Sequence, residues 1–198
     1  MVSGDLLRAS GLALLVVAGC GGGASGNFPE RPDVTQAEAG WCKALAKIQG
    51  KEEGWEHMAE CKAFRTTASA AYLRGMTKCF FSRLESLGDS APDQTQIATE
   101  CNDEVTLGLP ADDLAGRDVI TARCERMQRC EKVTSEDCRA GVEKLESAQR
   151  ALFTTTYNSG ALRDVADCLS SKSCSDNEEA ARDACYKPAA DKLLYFPG

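Results

Sequence analysis

The sequence predicts an all-α protein, a disulfide-stapled helical bundle or set of helical hairpins with no significant sheet. Aromatic residues make up only 6% of the chain, whereas alanine, leucine and charged residues of high helix propensity are plentiful. Apolar residues recur at intervals of three and four, and few runs alternate as a half-buried strand would. The chain also contains 11 cysteines, and such a density is typical of exported domains whose helices are joined by disulfides.

The N-terminal residues 1–19 have the three parts of an export signal. Arg8 and the terminal amine make the start weakly positive. Residues 12–18 form an apolar core that is too short to span a bilayer, since a spanning helix needs about 20 residues. Two small residues then precede Cys20, and the six residues 15–20, LVVAGC, resemble the lipobox of bacterial lipoproteins.

This resemblance implies that the Cys20 thiol receives diacylglycerol, that the signal is cleaved before Cys20, and that the new amine is acylated. Two or three acyl chains anchor a protein stably, whereas one binds a membrane only marginally. Residues 20–34 are glycine-rich at their start and predict a flexible tether. Gly21 stands where an aspartate often retains lipoproteins in the inner membrane, so the resemblance implies an outer-membrane protein of the cell envelope.

Lipid on Cys20 would also explain the odd number of cysteines. The ten others are Cys42, Cys61, Cys79, Cys101, Cys124, Cys130, Cys138, Cys168, Cys174 and Cys185. In the oxidising compartment that an export signal implies, we expect them to form five disulfides. Zinc ligation is the alternative, but the closest spacing is Cys-x5-Cys and His57 is the only histidine. We therefore expect no metal site and no cofactor.

The formal net charge of −7 restricts the partners. An acidic surface repels nucleic acid and anionic lipid headgroups, so neither is expected to bind the folded domain. Contact with the membrane is expected only through the lipid on Cys20.

Four helices are predicted in an N-terminal half, residues 35–107. They cover residues 35–50, 52–64 and 67–87 and a fourth stretch that starts at 90–93. Thr35 and Glu38 have the spacing of a capping box for the first helix, and Gly88 ends the third. Each of the long helices places a cysteine on or next to its apolar stripe, where a disulfide between packed helices has to lie.

A break at residues 107–110, LGLP, predicts a boundary before a C-terminal half, residues 111–198, which forms a separate domain or one domain with the first half. Its predicted helices cover residues 112–130, 135–152, 162–174 and 176–185. Asp112 or Asp113 caps the first of these and Ser135 the second. The apolar tail, residues 193–196, is expected to dock on the core.

The cysteines of this half form a weak repeat. Two triplets, with the patterns Cys-x5-Cys-x7-Cys and Cys-x5-Cys-x10-Cys, start at Cys124 and Cys168. They predict two helical hairpins, each closed by one disulfide, and a third disulfide between the hairpins. Antiparallel geometry favours Cys130 with Cys138, while Cys185 pairs with either Cys168 or Cys174. Six cysteines allow fifteen pairings, so these alternatives stay open.

Catalytic motifs are missing from the sequence. It has no Gly-x-Ser-x-Gly elbow, phosphate loop, dinucleotide fingerprint or His-Glu-x-x-His. His57 is interpreted as a structural histidine rather than a general base, because no nucleophile is predicted beside it. Adjacent acidic pairs lie near expected helix starts, where they complement the helix dipole. We therefore expect that the protein is not an enzyme.

A basic stripe is the one candidate binding feature. Arg123, Arg126 and Arg129 recur every three residues on one predicted helix. Arg123 and Arg126 are the candidate ligand-binding residues, because guanidinium groups bind carboxylates and phosphates bidentately. The competing interpretation, which we favour, is a solvated face on which the stripe pairs with neighbouring acidic residues, namely Glu125, Glu131 and Glu136.

The lipobox and the scattered cysteines together are similar to those of small cysteine-rich lipoproteins of myxobacteria and their relatives. That resemblance implies no known activity. We expect a membrane-anchored lipoprotein that displays a soluble helical binding or interaction module, with a ligand that the sequence does not identify. The alternative is a structural or assembly factor of the envelope, and an enzyme ranks third.

Overall fold

The computed structural model describes residues 32–50, 54–87, 94–110 and 113–197, and the predicted all-α class is confirmed there. The described helices are α1 Pro32–Ile48, α2 Met58–Ala63, α3 Ala70–Leu87, α4 Gln94–Gly108, α5 Leu114–Glu131, α6 Ser135–Glu143, α7 Ser147–Phe153, α8 Ser159–Ser171 and α9 Glu178–Ala190. Within these ranges the only β-type pairing is an isolated bridge between Ala68 and Tyr157. The predicted export signal, Cys20 and Gly88 lie outside the described residues.

The predicted start of the first helix is wrong. Helix α1 begins at Pro32, so it includes the last residues of the predicted tether. Proline suits the first helical position because its fixed φ is already helical and its missing N–H would be unpaired there. Thr35 and Glu38 therefore lie inside the helix rather than at its cap. The Glu38 carboxylate instead accepts a hydrogen bond from the Thr66 backbone N–H at 2.7 Å.

Helices α2 and α3 are both shorter than predicted. Gly54, with φ +113°, adopts a backbone conformation that delays α2 until Met58, and this conformation is one that side-chain-bearing residues rarely adopt. Before α3, Thr67 is held out of the helix because its N–H donates to Lys192 O at 2.9 Å and its hydroxyl to Ala189 O at 2.5 Å. Tertiary hydrogen bonds thus override the local helical pattern.

The first core lies between α1, α3 and α4 and is rich in aromatic rings. Trp41 is 2% exposed, and its ring centroid lies 5.8 Å from that of Phe80 and 5.5 Å from that of Phe196. The indole N–H of Trp41 donates to Tyr195 O at 2.8 Å. The predicted docking of the C-terminal tail is therefore confirmed, and the tail completes the core of the N-terminal half.

Two of the predicted caps in the C-terminal half differ in their outcome. Asp113 caps α5 as predicted, with its carboxylate accepting from Gly116 N–H at 2.7 Å. Thr134, not Ser135, caps α6, accepting from Asp137 N–H at 3.0 Å.

The predicted helix over residues 135–152 is two helices, α6 and α7. Helix α9 runs past its predicted end at Cys185, through Pro188 to Ala190, although proline has no N–H to donate to the Ala184 carbonyl.

Hydrogen bonds join the two predicted halves. Asn158 N–H donates to Thr67 O at 2.7 Å, and Ser69 N–H donates to Thr156 O at 2.8 Å. The Asn158 side-chain amide also donates to Thr66 O at 3.0 Å. Because Asn158 also caps α8, the start of that helix is fixed against the N-terminal half.

The five expected disulfides are present, and they pair Cys42 with Cys61, Cys79 with Cys101, Cys124 with Cys138, Cys130 with Cys174 and Cys168 with Cys185. Each hairpin of the C-terminal half is closed by one disulfide and the hairpins are joined by another, as predicted. The preference for Cys130 with Cys138 is wrong. Helix α6 folds back along α5, which brings Cys138 to Cys124 with a Cα–Cα distance of 5.5 Å, whereas Cys130 faces the loop after α8.

None of the five disulfides links the two halves. Apart from the polypeptide chain itself, the halves are therefore held together by noncovalent contacts. Among the helices that the structure describes, none is long and apolar enough to cross a membrane.

Candidate functional site

Arg123 and Arg126 of the basic stripe face the hairpin of α8 and α9, whereas Arg129 is exposed. Arg126 is 0% exposed, and its guanidinium donates to Asp176 O at 2.6 Å and to Ser173 O at 3.3 Å. Its Nη1 lies 3.5 Å from a carboxylate oxygen of Glu178. Arg126 therefore holds the α8–α9 loop in place, and the favoured interpretation of a solvated face is wrong for it.

The two other arginines of the stripe contact the same hairpin. Arg123 donates from Nε to Glu178 at 2.6 Å. Arg129 is more exposed and donates to the carbonyl oxygens of Ser170 and Lys172, each at 3.2 Å. The partner carboxylate is therefore Glu178, 55 residues along the chain from Arg123, and not one of the neighbouring acidic residues that we favoured.

A pocket lies beside this stripe, among α5, α6, α7, α8 and α9. It is a shallow cleft: its enclosed volume is about 20 Å³, room for about one water molecule, and the rest of it is open to solvent. Its walls are mostly apolar, formed by Val119, Ile120, Val142, Leu145, Phe153 and Leu169. Its polar lining residues are Arg123, Arg150, Arg182, Thr154 and Tyr186. Arg123 thus lines the pocket, whereas Arg126 lies behind it and does not.

At one side of the pocket, the first turn of α5 lies very close to Thr154, the residue that follows α7. A Cβ on Gly116 would lie 2.6 Å from the Thr154 Cβ, nearer than real Cβ contacts, so only glycine permits this approach. Helix α7 is thereby held where Arg150 and Phe153 both reach the pocket. Since Arg150 and Phe153 are three residues apart, they share one face of α7.

Arg150 is the pocket residue that the sequence interpretation missed. Its Nε is buried and has no hydrogen-bond partner, and no ion pair of Arg150 is found among the described residues. A buried guanidinium donor without an acceptor is costly, because the lost contact with water is not replaced. The signal in the sequence was weak: it was an arginine three residues before Phe153, within an otherwise ordinary amphipathic stretch.

Arg182 contributes the third guanidinium of the pocket. It donates to Asp183 at 3.2 Å, and its guanidinium carbon lies 5.6 Å from the centroid of the Phe153 ring. Tyr186 lies one turn further along α9 and donates its hydroxyl to Phe153 O at 2.6 Å. Burial raises the pKa of the Tyr186 phenol well above its ordinary value, so this hydroxyl stays protonated and acts as a hydrogen-bond donor.

His57 lies on the surface, away from this pocket. Its Nδ1 is 3.1 Å from a carboxylate oxygen of Glu60, and their side chains are 35% and 66% exposed. Hydrogen bonds from His57 and Tyr195 lower the pKa of the Glu60 carboxyl. These three groups form a small polar cluster that fixes the start of α2 against the tail.

A second, smaller cleft, with an enclosed volume of about 10 Å³, lies between α1, α2 and the tail. Glu38 lines it, and burial raises the pKa of this carboxyl, an effect partly offset by the hydrogen bond from Thr66 N–H. Over the part of the chain that the structure describes, no three His, Cys, Asp or Glu residues are grouped so as to hold a metal ion.

The chain matches no protein-family model, and it has no significant match among curated proteins or among solved structures. Its function is therefore inferred from its own residues.

Proposed function

We propose that this chain is a lipid-anchored protein of the bacterial cell envelope and that its helical domain is a binding module displayed at the membrane surface. One observation carries the anchor. Ten of the 11 cysteines are paired in five disulfides, so Cys20 is the one cysteine that remains outside them. It is also the cysteine that ends the lipobox-like segment LVVAGC.

The disulfides support export in the same way. Cys101 and Cys124 are 0% exposed and Cys42 is 1% exposed, and Cys42 and Cys101 belong to the first core. A fold with five disulfides is suited to an oxidising compartment and poorly suited to a reducing cytosol. Gly21 after the lipidated cysteine favours the outer membrane.

The pocket lined by Arg123, Arg150 and Arg182 supports a binding role. It combines apolar walls with a few convergent polar groups, which is the usual composition of small-ligand sites. A structural or assembly factor would instead need a large exposed apolar face. Among the described residues the exposed large apolar side chains are Ile48, Leu107 and Leu114, which is too few for such a face. A binding module is therefore the better-supported function.

The anchor is tested by intact mass spectrometry of the protein extracted from its own membranes. Thiols are alkylated with and without prior reduction. We expect a chain that starts at Cys20, carries acyl mass, and gains ten alkyl groups only after reduction. An unacylated chain that starts elsewhere, or thiols that react before reduction, would contradict the proposal.

The outer-membrane location is tested with the variant Gly21→Asp and, as a matched control, Gly22→Asp. If the sorting signal works as the lipobox resemblance implies, G21D moves the protein from the outer to the inner membrane on a density gradient. G22D, which places the same charge one residue later, should stay in the outer membrane. An inner-membrane location of the unchanged protein would contradict the outer-membrane assignment.

The binding role is tested with the mature chain from residue 20, which contains every described residue and carries Cys20→Ser to prevent lipidation. Ligand-observed NMR is recorded with a small-molecule extract of the envelope. Leu145→Trp fills the mouth of the pocket, and Leu107→Trp adds the same ring at an exposed site elsewhere. We expect signals that L145W removes and L107W keeps. Signals that L145W leaves unchanged, or none at all, would contradict a binding function of this pocket.

A further inference from the structure

The disulfide between Cys130 and Cys174 differs from the four others in its exposure. It joins the two hairpins of the C-terminal half. Cys174 is exposed and Cys130 is half-buried, and neither packs in an apolar core. Each of the four other disulfides has at least one buried cysteine, and these buried cysteines are Cys42, Cys61, Cys101, Cys124, Cys138 and Cys185. Cys130–Cys174 is therefore the bridge that a reagent in water can reach while the chain stays folded.

The neighbours of Cys174 in the loop between α8 and α9 are small. Ser173 and Ser175 flank it, and both are exposed. Their hydroxyls form a hydrogen bond with each other at 2.6 Å. Thiol–disulfide exchange begins when a thiolate approaches one sulfur atom of the bridge, so its rate depends on access to that atom. Because short side chains cover little of a neighbouring sulfur atom, attack is expected at Cys174.

Arginines of the basic stripe hold this loop to α5 without using the bridge. Arg126 donates from Nη2 to the backbone carbonyls of Ser173 and Asp176, on either side of Cys174. Arg129 donates to two further carbonyls just before that loop segment. None of these hydrogen bonds involves a sulfur atom, so they remain when the bridge opens. The two thiols then stay close together, and a bridge re-forms readily when its partners are held in place.

We propose that Cys130–Cys174 is a reversible thiol–disulfide exchange site whose substrate is a dithiol, and that the four other disulfides are structural. A thiolate of the dithiol attacks Sγ of Cys174, the bond to Cys130 breaks, and the Cys130 sulfur leaves with the electron pair as a thiolate. The second thiolate of the dithiol then attacks its own sulfur partner in the mixed disulfide and releases the Cys174 thiolate. The dithiol is thereby oxidised to a disulfide, and its two protons go to the two thiolates of the protein.

Opening this bridge removes the one disulfide that links the two hairpins. The bridges Cys124–Cys138 and Cys168–Cys185 still close each hairpin separately. The change is therefore confined to the end of α5 and the loop between α8 and α9, and each hairpin stays folded. In an oxidising compartment the bridge is closed at rest. The site goes beyond the proposed binding role and depends neither on the pocket nor on the lipid anchor.

The test is partial reduction of the same mature Cys20→Ser chain with dithiothreitol in the absence of denaturant. Samples are quenched with N-ethylmaleimide at intervals, and the alkylated cysteines are located by peptide mass spectrometry. We expect the first two alkyl groups on Cys130 and Cys174, at a rate proportional to the dithiothreitol concentration, as direct attack on the folded chain requires. The four other disulfides should open at least about tenfold more slowly, because their buried cysteines react only after local or global unfolding. Oxidised glutathione, added after the dithiothreitol is removed, should restore the original bridge.

Two sets of variants separate the site from the rest of the fold. The double variant Cys130→Ala, Cys174→Ala should gain no alkyl group during the time in which the unchanged chain gains two. In Arg126→Met the loop is held less firmly once the bridge opens. At a fixed ratio of reduced to oxidised dithiothreitol, the equilibrium should therefore shift about tenfold toward the open form, whereas the exposed control Arg129→Met should shift it less than about twofold.

The proposal is overturned if another pair of cysteines is alkylated first, if all ten react together, or if the rate at Cys130 and Cys174 does not depend on the dithiothreitol concentration. It is also overturned if the opened bridge does not re-form with oxidised glutathione. Equal equilibria in the unchanged chain and in folded R126M would reject the role of Arg126 in keeping the thiols together. If R126M does not fold, the order and the rate law in the unchanged chain still decide the question.

Discussion

Replacing the buried Arg126 tests the account of the α8–α9 loop most directly. In Arg126→Met the side chain keeps a similar length and an apolar stem, but its hydrogen bonds to Asp176 O and Ser173 O are lost. A hydrogen bond from a charged donor contributes about 1.5–3 kcal/mol, and the longer of these two bonds, at 3.3 Å, is weak. One oxygen of Glu178 keeps Arg123 at 2.6 Å, whereas its other oxygen is buried without a hydrogen-bond partner, as are Nε and Nη1 of Arg126. The substitution therefore removes two unpaired buried donors, which offsets part of the loss.

We therefore expect R126M to lower the free energy of unfolding by about 1–3 kcal/mol. The measurement is urea denaturation with the disulfides intact, compared at constant m-value. Amide hydrogen exchange should also become faster in residues 172–177, the loop that Arg126 holds, before it does so in α8 itself.

Arg129→Met is the matched control for this experiment. Arg129 lies on the same stripe and also donates to two backbone carbonyls, but at 3.2 Å and on the surface. R129M should lower the free energy of unfolding by less than about 1 kcal/mol, because water replaces the hydrogen bonds of an exposed side chain. If R126M proves as stable as the unchanged chain, or if R129M costs as much as R126M, the buried arginine does not hold the loop.

Three further predictions concern pH and the disulfides. Burial raises the pKa of the Glu38 carboxyl in the folded protein. The neutral carboxyl therefore stabilises the fold fully at pH values below its pKa in the unfolded chain. This stabilisation is lost as the pH rises through its pKa in the folded protein. Glu38→Gln keeps an oxygen acceptor for Thr66 N–H but cannot ionise. In denaturation experiments this variant should be as stable as the unchanged chain at acid pH and more stable at neutral pH. Equal stability of the two chains at every pH would contradict this prediction. Burial raises the pKa of Tyr157 to about 12. Relative to neutral pH, this group should therefore lower the free energy of unfolding by about 1.4 kcal/mol at about pH 11. Phenolate absorbance should then appear together with unfolding, and gradual ionisation in the folded chain would refute it. Replacing Cys130 and Cys174 by alanine opens a loop with a separation of 44 residues and should cost about 4 kcal/mol, against about 3 kcal/mol for the pair with a separation of 17 residues, Cys168 and Cys185. Thermal denaturation of the two variants checks the order, and the reverse order would contradict the loop-entropy argument.

The sequence was most informative where structure depends on neighbouring residues. The cap at Asp113 and the helical class follow from side chains within one or two turns of each other, because helix propensity and capping act over that distance. The cysteine triplets predicted the two hairpins and the bridge between them, since their spacing fits a helix, a loop and a helix. The tail at 193–196 was predicted to dock simply because it is too apolar to remain in water.

The predictions that failed concern contacts between residues far apart in the sequence. The spacing of Thr35 and Glu38 fits a capping box, but Glu38 instead accepts from Thr66, which the sequence places 28 residues away. Cys130 lies near Cys138 in the sequence, yet the direction in which α6 returns along α5 brings Cys124 to it instead. Local spacing cannot show which group a side chain meets after the helices pack.

By itself, therefore, the sequence determined the all-α class and the oxidation of ten cysteines, and it predicted the anchor at Cys20. Only the tertiary structure decided the disulfide pairing and the burial of Arg126. It also decided the meeting of Arg123, Arg150 and Arg182 at one pocket. The physical reason is that periodicity and capping are fixed within a few residues, whereas a binding pocket depends on how five separate helices pack against one another.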